Sequence, residues 1–158
     1  MIFINTSEQK LYFLEENTVK YDFIISTALK GLGCKLHSNK TPIGLHTVIS
    51  KIGNGLPAGT LFKNRIPINK VINKIPNDDE DYITSRIIRL GGLEEGINKG
   101  GDVDTFQRFI YIHGTPHIDK LGYPESHGCI RMSDDDVISL FSLINYKTLV
   151  LILSLIHI

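Results

Sequence analysis

The chain has 158 residues, a formal net charge of zero, 42% hydrophobic and 22% charged residues. That length suits one domain with a full core, so residues 1–158 are expected to form a single unit. The charge balance removes any electrostatic reason to expect nucleic acid or an anionic membrane as partner.

The start, Met1-Ile2-Phe3-Ile4-Asn5, has no basic n-region, and its apolar run is too short for a signal peptide. As written, the chain is expected to stay in the cytoplasm. Three short strands open it, residues 2–5, 10–15 and 19–26, joined by two hairpin-like connections. Residues 27–40 have a loop composition with Gly31, Gly33, Ser38 and Asn39, and Thr41-Pro42-Ile43-Gly44 leads into a strand over 45–52. Residues 53–59 form another turn region. From 63 to 81 the pattern weakens around Pro67, Pro76 and the cluster Asp78-Asp79-Glu80-Asp81, and this stretch reads as a long surface excursion, with the acidic cluster as a solvated turn.

A strand over residues 83–90 follows, then a glycine-rich segment, then the apolar run Phe109-Ile110-Tyr111-Ile112, which predicts a buried strand ending in His113. Residues 115–124 must loop back to bring Ser126-His127-Gly128-Cys129-Ile130-Arg131-Met132 alongside. Ser133 with Asp134, Asp135 and Asp136 is a capping signal for a helix over 137–144, and residues 149–158 read as a final buried strand. That tail falls well short of the roughly 20 residues that span a bilayer. The pattern predicts a mainly β fold, a sandwich or partly closed barrel with one principal helix after the cysteine.

The chemistry concentrates around Cys129. A thiol with an ordinary pKa near ~8.5 is only a few per cent thiolate at neutral pH, so it needs a base. His127 and His113 are both within sequence reach, and His113 is preferred because a strand end fixes a side chain better than a glycine-containing turn. The amides of Gly128 and Cys129 could face a developing oxyanion. Arg131 offers a two-pronged donor for a substrate carboxylate or a salt bridge within the fold. Ser126 reads as a turn residue, and Tyr111, two before His113, faces the same way. The helix after Cys129 is expected to direct its positive end at the thiol, partly offset by its three aspartates. Cys34 and Cys129 are both read as free thiols, which fits a reducing compartment.

Ile112-His113-Gly114-Thr115 followed by Ser126-His127-Gly128-Cys129-Ile130-Arg131-Met132, with Thr41-Pro42-Ile43-Gly44 upstream, resembles the signature of the L,D-transpeptidase catalytic domain, the YkuD-like family. The resemblance covers nearly the whole chain and implies the same architecture. It implies acyl transfer on peptidoglycan stem peptides or muropeptides through a Cys129 thioester, with no cofactor and no metal, and with His113 oriented by the backbone carbonyl of Gly114. An amine acceptor gives cross-linking or D-amino-acid exchange; water gives an L,D-carboxypeptidase of the kind the family's leaderless members suggest. Most of the family works in the periplasm or cell envelope, the alternative to the cytoplasm. Two other classes stay open: a zinc peptidase using His113, His117, His127 and Cys129, and a non-catalytic wall-binding module.

Overall fold

The computed structural model of the chain describes residues 1–155, so the end of the apolar tail, residues 156–158, lies outside the described residues. The opening is the expected meander: β1 Ile2–Asn5, β2 Lys10–Glu15 and β3 Thr18–Ile24. Glu16 and Asn17 turn β2 into β3 at φ of 51° and 62°. This left-handed pair suits a two-residue hairpin because its twist matches that of the flanking strands. β3 stops at Ile24 instead of running on to Ser26. There the chain changes partner, and Ser26 exchanges two backbone hydrogen bonds of 2.9 Å with Arg131.

β4 Gly44–Ile52 follows the first loop, and β5 Thr60–Lys63 and β6 Ile66–Val71 then form a hairpin. That hairpin corrects the expectation of a strandless excursion over 63–81. β6 is an edge strand, largely exposed, and it contains Pro67. Proline is tolerated at an edge, where no ladder bond is lost, but it removes the local strand signal. Only residues 72–82 remain irregular. Beyond them lie β7 Ile83–Gly92, β8 Tyr111–Gly114, β9 Ile130–Met132, α1 Asp134–Leu143 and β10 Leu149–Leu153.

The ten strands form one open mixed sheet in the order β3-β2-β1-β10-β4-β7-β5-β6, with β8 on β7 and β9 on β8. β10 inserts between β1, to which it runs parallel, and β4, so the first and last strands lie side by side. An isolated bridge between Ser26 and Arg131 ties the meander end to β9 without a continuous ladder. β8 begins two residues later than the apolar run suggested: Phe109 has φ of 56° and is about half exposed. The short strand β9 was hidden inside what reads in sequence as a catalytic motif.

The main core fills one face of this sheet. Ile2, Ile4, Val48, Ile88, Leu90, Ile112, Ile130, Met132, Val150 and Ile152 meet Val137, Leu140, Phe141 and Ile144 from the helix side. The helix starts at its predicted cap, where Ser133 Oγ accepts from the Asp136 amide at 3.1 Å. Because strand side chains alternate, the neighbours of these core residues point to the opposite face. There Ile87, Tyr111 and Phe62 form a second, smaller cluster with Cys129 packed against it.

One buried group outside that cluster sets an expected acid response. His46 is fully buried, with Nδ1 to Gly44 O and Nε2 to Thr105 Oγ1 at 3.0 Å each. Burial lowers its pKa to about 4, against the pull of Gly44 O and Glu94. The unfolded chain takes up this proton first, so the contribution is complete above the ordinary histidine value near ~6.5 and is lost as pH falls toward 4, by about 3 kcal/mol in all. Urea midpoints measured between neutrality and acid should show this slope, and His46→Gln should flatten it.

Candidate active site

β8 and β9 run parallel with Ile112 opposite Ile130 and His113 opposite Arg131. Since Ile112 and Ile130 face the main core, alternation sends Tyr111, His113, Cys129 and Arg131 to the other face together. Sequence reasoning had placed these four near one another; the parallel register is what sets them on one surface. His113 pairs directly with Arg131, and Cys129 lies two residues before Arg131, so His113 and Cys129 are diagonal neighbours on that face.

The sulfur is enclosed but reachable, with Cys129 partly exposed. The Tyr111 amide donates to Sγ at 3.3 Å, and the thiol donates to Phe109 O at 3.5 Å. Burial pushes the Cys129 thiol up to about 12; the Tyr111 N–H, Arg131 and Arg108 pull the other way, and Asp81 adds to the rise. His113 is fully buried. Its Nδ1 lies 2.7 Å from Gly114 O, and a carbonyl can only accept, so Nδ1 carries the proton. Nε2 is then an unprotonated acceptor, and it is a buried nitrogen without a hydrogen-bond partner. Burial lowers the His113 pKa, opposed by Asp81 and Gly114 O, so the imidazole is neutral at neutral pH. A neutral thiol and a neutral base on one face can exchange a proton as the sulfur attacks.

Gly114 has its own steric reason. A Cβ there would stand 2.5 Å from Thr84 O and 2.8 Å from Asp134 Oδ1. Asp134, the first residue of α1, accepts from Thr84 Oγ1 at 2.6 Å and from Ser85 Oγ. This corrects the expectation about the helix: its N-terminus packs against Gly114 and the β7 start, at the His113 end of β8. β9 separates it from the sulfur, and Asp134 is among the charges acting on His113.

The turn before Cys129 is braced from within. Gly128 has φ of 133°, and a Cβ would meet Ile110 Cδ1 and Lys40 O at 3.2 Å each. Ser126 is buried; its hydroxyl donates to Cys129 O at 2.6 Å and accepts from the Gly128 amide at 3.2 Å. Of the two amides expected to face an oxyanion, that of Gly128 is therefore already engaged. Thr41, from the Thr-Pro-x-Gly turn, donates to Gly128 O at 2.9 Å and accepts from the Ala28 amide, which locks the cysteine loop to the loop before β4.

Arg131 is buried, and its Nη2 donates to Asp81 Oδ1 at 2.9 Å. Between the two readings offered by sequence, the ion pair within the fold is the one present. Asp81 also approaches His127 Nδ1 at 3.7 Å. Burial alone would raise the Asp81 carboxyl, but His113, Arg131 and His127 hold it below its ordinary range. This last member of the acidic cluster is the principal site residue that sequence reasoning missed. Nothing in Asp78-Asp79-Glu80-Asp81 distinguishes the one that turns inward. His127 is mostly exposed and borders a cavity of about 280 Å³ with His37, Arg108 and Phe109. His117 points elsewhere, toward Glu80 O and the Tyr82 ring. Among the described residues no group of three or more His, Cys, Asp or Glu side chains is placed to hold a metal ion.

One mixed β-sheet with a cysteine and a carbonyl-oriented histidine set on the same face is the arrangement these elements build. The chain belongs to the L,D-transpeptidase catalytic domain family (YkuD), whose sequence profile matches residues 1–152. No curated protein matches it by sequence. Among solved structures it is similar to the L,D-transpeptidase LdtMt1 in complex with imipenem, at 18% identity and a TM-score of 0.62 over 96% of this chain and 57% of that one. An L,D-transpeptidase from Mycobacterium smegmatis aligns at 16% identity and a TM-score of 0.61, over 97% and 58%. L,D-transpeptidase 3 from Mycobacterium tuberculosis does so at 16% and 0.61, over 97% and 60%. The chain thus spans about three-fifths of the length of these structures. These likenesses establish the fold.

Proposed function

We infer that this domain transfers the acyl group of a peptidoglycan stem peptide through a thioester on Cys129, in the manner of an L,D-transpeptidase. The observation that carries the reading is the buried, partnerless Nε2 of His113, facing the same way as Cys129 while Nδ1 is held by Gly114 O. Membership of the family supplies the substrate class.

In this mechanism the Sγ–H proton passes to His113 Nε2 as sulfur attacks the carbonyl carbon of an L-residue joined to a D-residue. The tetrahedral intermediate collapses when its C–N bond breaks, and Nε2–H protonates the departing D-amino acid. A thioester remains. An acceptor amine then attacks it, gives its proton to Nε2, and sulfur leaves to regain that proton. Water in place of the amine gives an L,D-carboxypeptidase by the same steps.

The test incubates protein with a tetrapeptide muropeptide and reads products by mass. A cross-linked dimer is the expected product; loss of the terminal D-residue alone assigns water as acceptor. Both activities should vanish in Cys129→Ala, because both pass through the thioester on that sulfur. Turnover that survives Cys129→Ala would overturn the mechanism.

A further inference from the structure

Arg131, the sequence candidate for holding a substrate carboxylate, is only 4% exposed in its side chain and is already paired with Asp81. Three other guanidiniums act near the Cys129 end of β8: Arg65, Arg89 and Arg108. Among the described residues none of them has a carboxylate partner. Arg89 donates to Phe106 O at 2.8 Å, and Arg108 donates to Gly33 O, Ser38 Oγ and Lys40 O. These two are tied to the backbone around them.

Arg65 differs. It occupies the tip of the β5–β6 hairpin, where Asn64 and Arg65 have φ of 50° and 65°. Its hydrogen bond runs from Nη1 to the Tyr111 hydroxyl at 3.0 Å, and its guanidinium lies 4.9 Å from the Phe109 ring centroid. A guanidinium has five N–H donors, so most of this fork has no protein acceptor. Phe109 and Tyr111 are also the two residues whose backbone groups bond the Cys129 sulfur. The hairpin therefore delivers a cation without a counter-charge to the two residues that flank the nucleophile. A guanidinium resting on an aromatic ring keeps its in-plane donors for an anion, and a carboxylate matches them two to two.

We propose that Arg65 recognises the terminal carboxylate of the departing D-amino acid, a specificity contact made by the β5–β6 hairpin. This rests on the stem-peptide reading above. In such a substrate the carboxylate lies only a few bonds beyond the scissile carbonyl, so the cation that reads it must stand close to the sulfur. Arg65 reaches, with its charge unneutralised, the two residues whose backbone groups bond the sulfur, whereas Arg131 is already paired with Asp81.

The test measures calorimetric binding to the Cys129→Ser protein of a tetrapeptide with a free terminal carboxylate, and of the same peptide ending in a carboxamide. The acid should bind about ten- to a hundredfold tighter, the range of a hydrogen-bonded charge pair. Adding Arg65→Gln should reduce that preference to about threefold or less, and Arg65→Lys, which keeps the charge without the fork, should fall between. A preference that survives Arg65→Gln in a protein melting normally overturns the proposal. If the Cys129→Ser protein binds neither peptide, the stem-peptide reading fails, and this assignment fails with it.

Discussion

His113→Gln is expected to slow thioester formation at Cys129 by about a hundred- to ten-thousandfold, the usual contribution of a positioned general base. The pH response should identify how that base works. With the thiol pushed up to about 12 by burial and His113 lowered by burial, the resting pair is a neutral thiol and a neutral imidazole. Thiolate then grows about tenfold per pH unit well past neutrality. Labelling of Cys129 by iodoacetamide, read on its own peptide by mass, should keep climbing over roughly pH 7 to 10. A plateau near neutrality would reveal a standing thiolate–imidazolium pair and sink the general-base account. Gly114→Ala should reproduce much of the His113→Gln defect without touching the ring. The added methyl would stand 2.5 Å from Thr84 O and 2.8 Å from Asp134 Oδ1, so residue 114 must shift and carry with it its own carbonyl, which orients Nδ1.

Asp81→Asn should cost about 2–3 kcal/mol of stability and weaken catalysis at the same time. The energetic reason is Arg131, whose buried guanidinium loses its counter-charge. Breaking a buried pair from one side typically costs ~3–5 kcal/mol, reduced here because a third of the Asp81 side chain remains in water. The chemical reason is His113, since the Asp81 charge favours protonation of this imidazole against its burial. Without it the base weakens. The double variant Asp81→Asn/Arg131→Met should recover part of the stability, because no charge is then stranded, while activity stays low. Denaturant midpoints and single-turnover acylation rates separate the two effects. Full stability in Asp81→Asn would show the pair to be a solvated surface contact. Acid acts in the same sense: the Asp81 carboxyl is held low, so its contribution is present above the ordinary carboxylate range and disappears as pH falls through the folded value.

Much of the architecture was legible because local patterns and tertiary needs coincide. The meander, the long strands β4 and β7, the cap at Ser133 and the last strand all carry alternation, turn residues or capping chemistry in their own letters. The elements that escaped notice, the hairpin of β5 and β6 with its Pro67 and the three-residue β9, owe their form to partners. Phe109 misled for the opposite reason. Its apolar character suggested a buried strand, whereas it turns outward beneath Arg65 and Arg89.

Residue types and spacing along the chain raised Cys129 and His113 as a candidate pair, because the chemistry of a thiol and an imidazole is local to each side chain, and likeness to a family weighted that reading over a core histidine. The carbonyl behind His113 came from likeness to a family, and the chain shows it in place. Pairing between distant segments decided the rest. The parallel register of β8 and β9 aligned the reactive faces, Asp81 came in from a surface connection to occupy Arg131, and a hairpin tip brought Arg65 to Tyr111. Charges interact through space, so which cation keeps a counter-ion and which remains available for a substrate depends on long-range packing that neighbouring letters do not encode.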